Sequence, residues 1–237
     1  MPKDSAIERR PRLNLARVLE TALELADEEG IGALTMRGLG KRLGVEAMSL
    51  YNHVTGKEDL LAGIVDLVIG EIELPSADLP WDAAVRRCAI SAHETLLRHP
   101  WSCQLVMIPP AGARSSRLRY IESLLRTFKE AGFSPELTYR AYHAIDSHVL
   151  GFTMWEVGHG ATADSAAVDI TPELAEQLLM LVSTGEYPNL LAHAWQHMSG
   201  DNEICNEFEF ALDLVLEGLQ RLHLVEQAAR RTRATQL

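Results

Sequence analysis

The chain has 237 residues, 47% apolar and 23% charged, with a formal net charge of -11. This is ordinary globular composition, enough for one large or two modest domains. It contains no run of 18 or more uncharged apolar residues and no apolar stretch behind the basic N-terminal residues, so neither a membrane span nor a signal peptide is indicated, and a cytoplasmic protein is expected.

The charge is unevenly divided. Residues 1–57 hold nine basic and eight acidic side chains, which leaves -12 for the other 180 residues. An acidic body repels phosphate, so any contact with nucleic acid is expected to be confined to the N-terminal part. The three cysteines, Cys88, Cys103 and Cys205, are an odd number at wide spacing with no C-x-x-C. That argues against a disulfide framework or a zinc finger and for buried thiols.

Residues 1–12 include Arg9, Arg10, Pro11 and Arg12 and have little apolar content. Two readings stand: an arm that follows phosphate or enters a minor groove, and a solvated basic tail. Asn14 is placed to cap a first helix, in which Leu15, Val18, Leu19, Ala22, Leu25 and Ala26 keep helical spacing until Glu28-Glu29-Gly30. The partial glycine pattern in GIGALT follows a helix instead of a strand, so it reads as a helix stop and not a dinucleotide loop.

Leu34 to Leu60 reads as two short helices around a glycine turn, with a third helix directly after. Thr35 can cap the first, with Leu39 and Leu43 turned inward and Arg37, Lys41 and Arg42 left in water. Gly44 supplies a left-handed turn, Val45 plugs the angle, and Leu50 and Val54 place the next helix on the same small core. Ala47, Met48, Ser49, Tyr51 and Asn52 remain for the exposed face, with Lys57 just beyond. This is the pattern of a helix-turn-helix suited to a DNA major groove. After it, LLAGIVDLVIGEIEL forms a linking helix that is apolar nearly all round and must be covered on more than one side. PSADLP at 75–80 is the clearest break in composition.

The run T-x-R-x-L-x-x-x-L-G-V, then S-L-Y-x-H-V-x-x-K-x-x-L, then a long linking helix, resembles the TetR family of transcriptional repressors. The matching residues are Thr35, Arg37, Leu39, Leu43, Gly44, Val45, Ser49, Leu50, Tyr51, His53, Val54, Lys57 and Leu60. LLRHP at 96–100, FKEAGFSPELTYRA at 128–141 and EFEFALDLVLEGL at 207–219 resemble a C-terminal domain of the tetracycline-repressor type. The resemblance implies a DNA-binding set of Thr35, Arg37, Ala47, Met48, Ser49, Tyr51, Asn52, His53 and Lys57. Tyr51 and Lys57 would hold phosphates, and Ala47, Met48, Ser49 and Asn52 would lie at base edges. Ala47 and Met48 are poor hydrogen-bonders, and Asn52 stands at a position that is often aromatic in the family.

The second half is helical by pattern, over Trp81–His99, Arg114–Gly132, Pro135–Gly158, Pro172–Thr184 and Ile204–Leu224. Gly132 ends one helix, while Ser134-Pro135-Glu136 and Thr171-Pro172-Glu173 begin others. The expected fold class is all-α: a basic arm (1–12), a three-helix helix-turn-helix head with its linking helix (13–74), and a helical ligand-binding and dimerisation domain (75–237). The helix from Pro135 and the last helix each carry two apolar faces. They fit either a four-helix homodimer interface or a buried centre in a monomer. The interface residues expected are Ile145, Val149, Phe152, Phe208, Leu212, Val215 and Leu219.

A ligand pocket is expected between linker and interface, lined by His99, Trp101, Met107, Ile108, Tyr142, Asp146, Met154, Trp155 and Trp195, each of which also fits an ordinary core position. MIPPAG at 107–112 reads as a hinge-like loop. The tetracycline-binding members carry a magnesium-binding His just before this loop, where Leu105-Val106-Met107 stand here, so the resemblance implies a metal-free apolar or aromatic effector. His193 and His197 are spaced i, i+4 but lack the Glu of H-E-x-x-H and a third ligand, and no metal or other cofactor is assigned. GHGATADSAAVD, from Gly158, reads as a pocket lid or a plain connection.

Together these features point to a repressor that binds a palindromic DNA operator as a homodimer and is released by a small-molecule effector. The alternative is a constitutive or protein-controlled DNA-binding regulator without such an effector. A helical enzyme with a helix-turn-helix appendage finds no G-x-S-x-G, P-loop, H-E-x-x-H or complete dinucleotide fingerprint to support it.

Overall fold

A computed structural model describes residues 13–106, 115–158, 176, 180, 185–198 and 207–235, and all the secondary structure among them is helical. The elements are α1 (Leu15–Glu29), α2 (Met36–Leu43), α3 (Ala47–Leu50), α4 (Lys57–Gly70), α5 (Trp81–Arg98), a 3-10 turn at Pro100–Ser102, α6 (Ser116–Glu130), α7 (Pro135–Gly158), α8 (Pro188–Met198) and α9 (Glu207–Thr235). The basic arm, Cys205, the 107–112 loop, the segment after Gly158 and most of the expected 172–184 helix lie outside the described residues.

The chain divides into two compact units, one of residues up to Glu71 with Trp101–Arg119, the other of Ile72–Pro100 with Tyr120 onward. The first unit is the head. Val18, Ala22, Leu25 and Ala26 of α1 meet Leu39 and Leu43 of α2, Leu50 of α3, and Leu60 and Ile64 of α4 in one core, with Leu34 and Val54 from the connections. Trp101, half-buried, packs on this core, and its Nε1 donates to Asp27 Oδ1 at 2.7 Å. Residues 101–106 and 115–119 thus cluster with the head, although their sequence groups them with the second domain. At the start of α6, Asp66 of α4 accepts from the backbone N–H and the hydroxyl of Ser116.

In the second unit α5, α7 and α9 pack on one another. Val85, Ala89, Ala92 and Leu96 of α5, Leu137, Ala141, Ile145 and Val149 of α7, and Phe208, Leu212, Leu216 and Leu219 of α9 are buried in its core. Arg86 on α5 ties down α9 through Glu209 (2.6 Å) and Asp213 (2.7 Å). Ser134 caps α7 by accepting from Leu137 N and is itself held by Glu226 of α9. Gly132 ends α6 with φ +88°, as its position predicts. The last helix runs eleven residues past the expected stop at Leu224, because VEQAARRTRAT contains no glycine or proline to end it.

Candidate nucleic-acid interface and effector domain

The turn between α2 and α3 is set by two glycines. Gly44 adopts φ 69°, ψ 35°, the left-handed region that a side chain disfavours. Gly40 sits where a Cβ would lie 2.9 Å from the Val45 carbonyl oxygen, so only glycine lets the chain fold back this closely. Val45 N donates to Gly40 O at 2.9 Å across that approach. Thr35 caps α2 by accepting from Gly38 N at 3.0 Å. The second helix is then only Ala47–Leu50, continued as a turn through His53, with Leu50 fully buried as its anchor.

This anchoring decides what faces outward. Met48 is 75% exposed and Tyr51 48%, Asn52 is exposed, and Ala47, Ser49 and His53 are half-buried. Arg37 is exposed on α2, and Lys57 is exposed as the first residue of α4. The start of α4 is fixed by Thr55, whose N–H donates to Asp59 Oδ2 at 2.8 Å. Of the nine expected DNA-contact residues, Thr35 therefore has a structural task as a helix cap, and the rest lie on or beside α2, α3 and the start of α4. The Arg42 guanidinium is engaged by Glu28 at 2.6 Å, a pairing that raises its pKa further. Sequence spacing could not reveal that pairing, because the partners are fourteen residues apart.

Of the expected pocket residues, Trp101 falls in the first unit, and His99, Tyr142, Asp146, Met154 and Trp155 fall in the second. His99 is buried at the end of α5, Tyr142 is half-buried with its hydroxyl 3.4 Å from Asp146, and Met154 and Trp155 are exposed by 46% and 43%. Trp101 belongs to the head instead, where Asp27 and the apolar core hold it. Met107 and Ile108 lie outside the described residues, as does the side chain of Trp195.

His93 stands in no recognisable sequence motif. It is buried on α5, with its ring stacked on Phe208 at a centroid distance of 3.9 Å. Thr153 Oγ1 donates to Val149 O at 2.6 Å, so at 2.8 Å it accepts from His93 Nδ1. The Nε2 lone pair then faces Glu156 Oε2 at 3.2 Å. Burial, then the neighbouring His148, lowers the His93 pKa to about 4, while burial, then Glu207, raises that of Glu156. Burial disfavours the charged form of each group, and the imidazole stays neutral in the fold. Cys88 and Cys103 are buried free thiols, pushed up by burial to about 12 and about 11, and are poor nucleophiles there.

Of the seven expected interface residues, five are already buried within the chain itself. Ile145, Val149, Phe208, Leu212 and Leu219 are buried in the chain's own core, because α5, α7 and α9 turn these faces to one another. Phe152 and Val215 are half-buried. The large apolar residues left exposed are Tyr139, Met154 and Trp155 on α7, and Phe210, Leu214, Leu222, Leu224 and Val225 on α9.

Residues 18–64 match the family of bacterial regulatory proteins of the tetR type, and residues 74–223 match the tetracyclin repressor-like C-terminal domain. The chain belongs to the tetR family. It is 30% identical over 223 residues to the HTH-type transcriptional repressor DrrR1 of Streptomyces coeruleorubidus, covering 90% of this chain and 79% of that one. It is also 30% identical to the tetracycline repressor protein class D of Escherichia coli, covering 87% and 94%. A crystal structure of a possible TetR family transcriptional regulator from Streptomyces coelicolor A3(2) matches with TM-score 0.71 and 27% identity, covering 88% of this chain and all of that one. ActR of Streptomyces coelicolor in complex with actinorhodin shares the fold, at TM-score 0.70 and 23% identity, covering 89% and 98%. Membership makes the chain a DNA-binding transcriptional regulator, and the helix-turn-helix described above is its reading head. Among the described residues no helix is long and apolar enough to cross a membrane.

Proposed function

We propose that this protein is a cytoplasmic homodimeric repressor, which grips a palindromic operator with two heads and leaves it when an apolar or aromatic small molecule binds the helical C-terminal domain. The observation that carries the reading is the head, where a glycine-set turn and the buried Leu50 leave Met48, Tyr51 and Asn52 outward with Lys57 beside them. In this reading Ala47, Met48, Ser49 and Asn52 meet base edges, while Arg37, Tyr51, His53 and Lys57 lie toward the phosphates.

Two heads are required by magnitude. One head has few cations and few hydrogen-bonding side chains for the groove, and pairing two on one two-fold axis multiplies their affinities. The outer apolar faces of α7 and α9, with Gly151 and Gly218 to permit close approach, support a four-helix interface. An effector that favours the released state by about 1–3 kcal/mol lowers operator affinity roughly 5- to 150-fold. Leu105-Val106-Met107 stand where tetracycline-binding members carry a metal-ligating His, and this supports an effector that needs no magnesium.

The test is a fluorescence-anisotropy titration of the purified protein on the DNA flanking its own gene, repeated with a panel of planar aromatic compounds. Sequence-specific binding that one compound weakens more than fivefold is expected. Operator affinity indifferent to every compound shown calorimetrically to bind would sink the ligand-released reading.

A further inference from the structure

The most exposed large apolar side chain of the recognition element carries no hydrogen-bond donor. Met48 is 75% exposed, more than any other large apolar residue described in the head, and it stands one residue from Ala47 and two before the buried anchor Leu50. An unbranched thioether held in water at this position gains nothing for the fold. In the major groove the base-edge groups are donors and acceptors, except for one apolar feature, the C5-methyl of thymine. Guanine is read by Arg or Lys, and neither occurs between Ala47 and Asn52. Asn52, exposed on the same element, has the amide geometry that pairs with adenine.

We infer that Met48 is the specificity-determining residue of the head and that it reads thymine methyl groups, so each operator half-site presents thymine where α3 enters the groove. The inference rests on the proposed operator binding and adds the chemistry of the readout. Burying one methyl against Met48 is worth about a fourfold change in affinity, and about fifteenfold when the symmetric pair in both half-sites is lost. Flexibility suits the task, because a methionine side chain adapts to a methyl presented at slightly different heights.

The experiment starts with the full-length protein selecting duplexes from a randomised pool. The best duplex is then resynthesised with deoxyuridine in place of thymidine, one half-site position at a time, which removes the methyl and keeps every hydrogen-bonding group. At one position the wild type is expected to lose about fourfold per half-site. Met48→Ala should bind the thymine and uracil duplexes alike, whereas Met48→Leu should keep the preference. Because Met48 is exposed, all three proteins should melt at nearly the same temperature, which separates lost readout from lost fold. Uracil duplexes bound as tightly as thymine duplexes at every position, or a preference that survives in Met48→Ala, would overturn the inference while leaving operator binding intact. Failure to enrich any duplex would overturn the proposed function itself, and this inference with it.

Discussion

The carboxylate of Asp66 holds Ser116 twice, accepting from its backbone N–H at 2.6 Å and from its hydroxyl at 3.2 Å. Asp66 lies on α4, whose first residue is Lys57, so the helix that begins beside the DNA-facing surface also fixes where α6 starts. A charged acceptor shared by an otherwise unsatisfied helix N-terminus is worth more than a neutral hydrogen bond. Asp66→Ala should therefore lower stability by about 1.5–3 kcal/mol, and Ser116→Ala by about 1 kcal/mol. Denaturant unfolding of the two single variants and the double variant checks this: the losses should be less than additive. Strict additivity would mean that the two side chains do not act together.

Lys57 and Tyr51 should behave as phosphate contacts. Lys57→Ala is expected to flatten the dependence of log affinity on log salt by roughly 0.9 for each head engaged. Tyr51→Phe should weaken matched and mismatched operators by the same factor. Titrations at several salt concentrations decide it, and an unchanged slope removes Lys57 from the contact set.

Neighbouring leucines on α9 should separate folding from assembly. Leu212 is fully buried, whereas Leu214 is 56% exposed. Leu212→Ala is expected to cost about 2–5 kcal/mol of stability through the cavity it leaves. Leu214→Glu should leave the helical spectrum unchanged and convert dimer to monomer in sedimentation. A fully dimeric Leu214→Glu protein would place the interface elsewhere.

The His93–Glu156 pair predicts a pH dependence with two opposing parts. His93 is neutral in the fold down to about pH 4, while in the unfolded chain it takes up a proton near its ordinary value of 6.5. Between these values the unfolded chain holds more protons, so this part of the stability is present above pH 6.5 and is lost as pH falls toward 4. Glu156 acts in the other direction, since its raised pKa lets the folded chain keep a proton that the unfolded chain releases. Glu156→Gln removes the opposing part and places an amide donor opposite His93 Nε2. It should be more stable than wild type near pH 7, by about 1 kcal/mol, and should lose stability more steeply on acidification to pH 4. Thermal melts across that range test both statements, and a variant less stable than wild type at pH 7 would show that the carboxylate opposite His93 does not cost the fold stability.

The head was legible in the sequence because its constraints are local. A cap at Thr35, a left-handed Gly44, and apolar residues at i, i+4 each act within one or two turns, and the structure places them as read. Which faces of α7 and α9 the chain buries within itself was not legible, because each helix carries two apolar stripes that look alike in one dimension. Which stripe is consumed depends on how α5, α7 and α9 pack, and Ile145 and Leu212 are buried in the core that these helices form. Trp101 escaped for the same reason, since its partner Asp27 is seventy-four residues away. His93 left no motif, because its meaning comes from Thr153, Glu156 and Phe208 on two other helices.

The seating of Trp101 on the head core gives the molecule a natural optical separation. The chain's other three tryptophans, Trp81, Trp155 and Trp195, all fall in the second unit, so the indole held by Asp27 is the head's own fluorophore. Replacing those three with phenylalanine would leave an emission signal that reports on the reading head alone, and stability and operator engagement could be followed there without any attached dye.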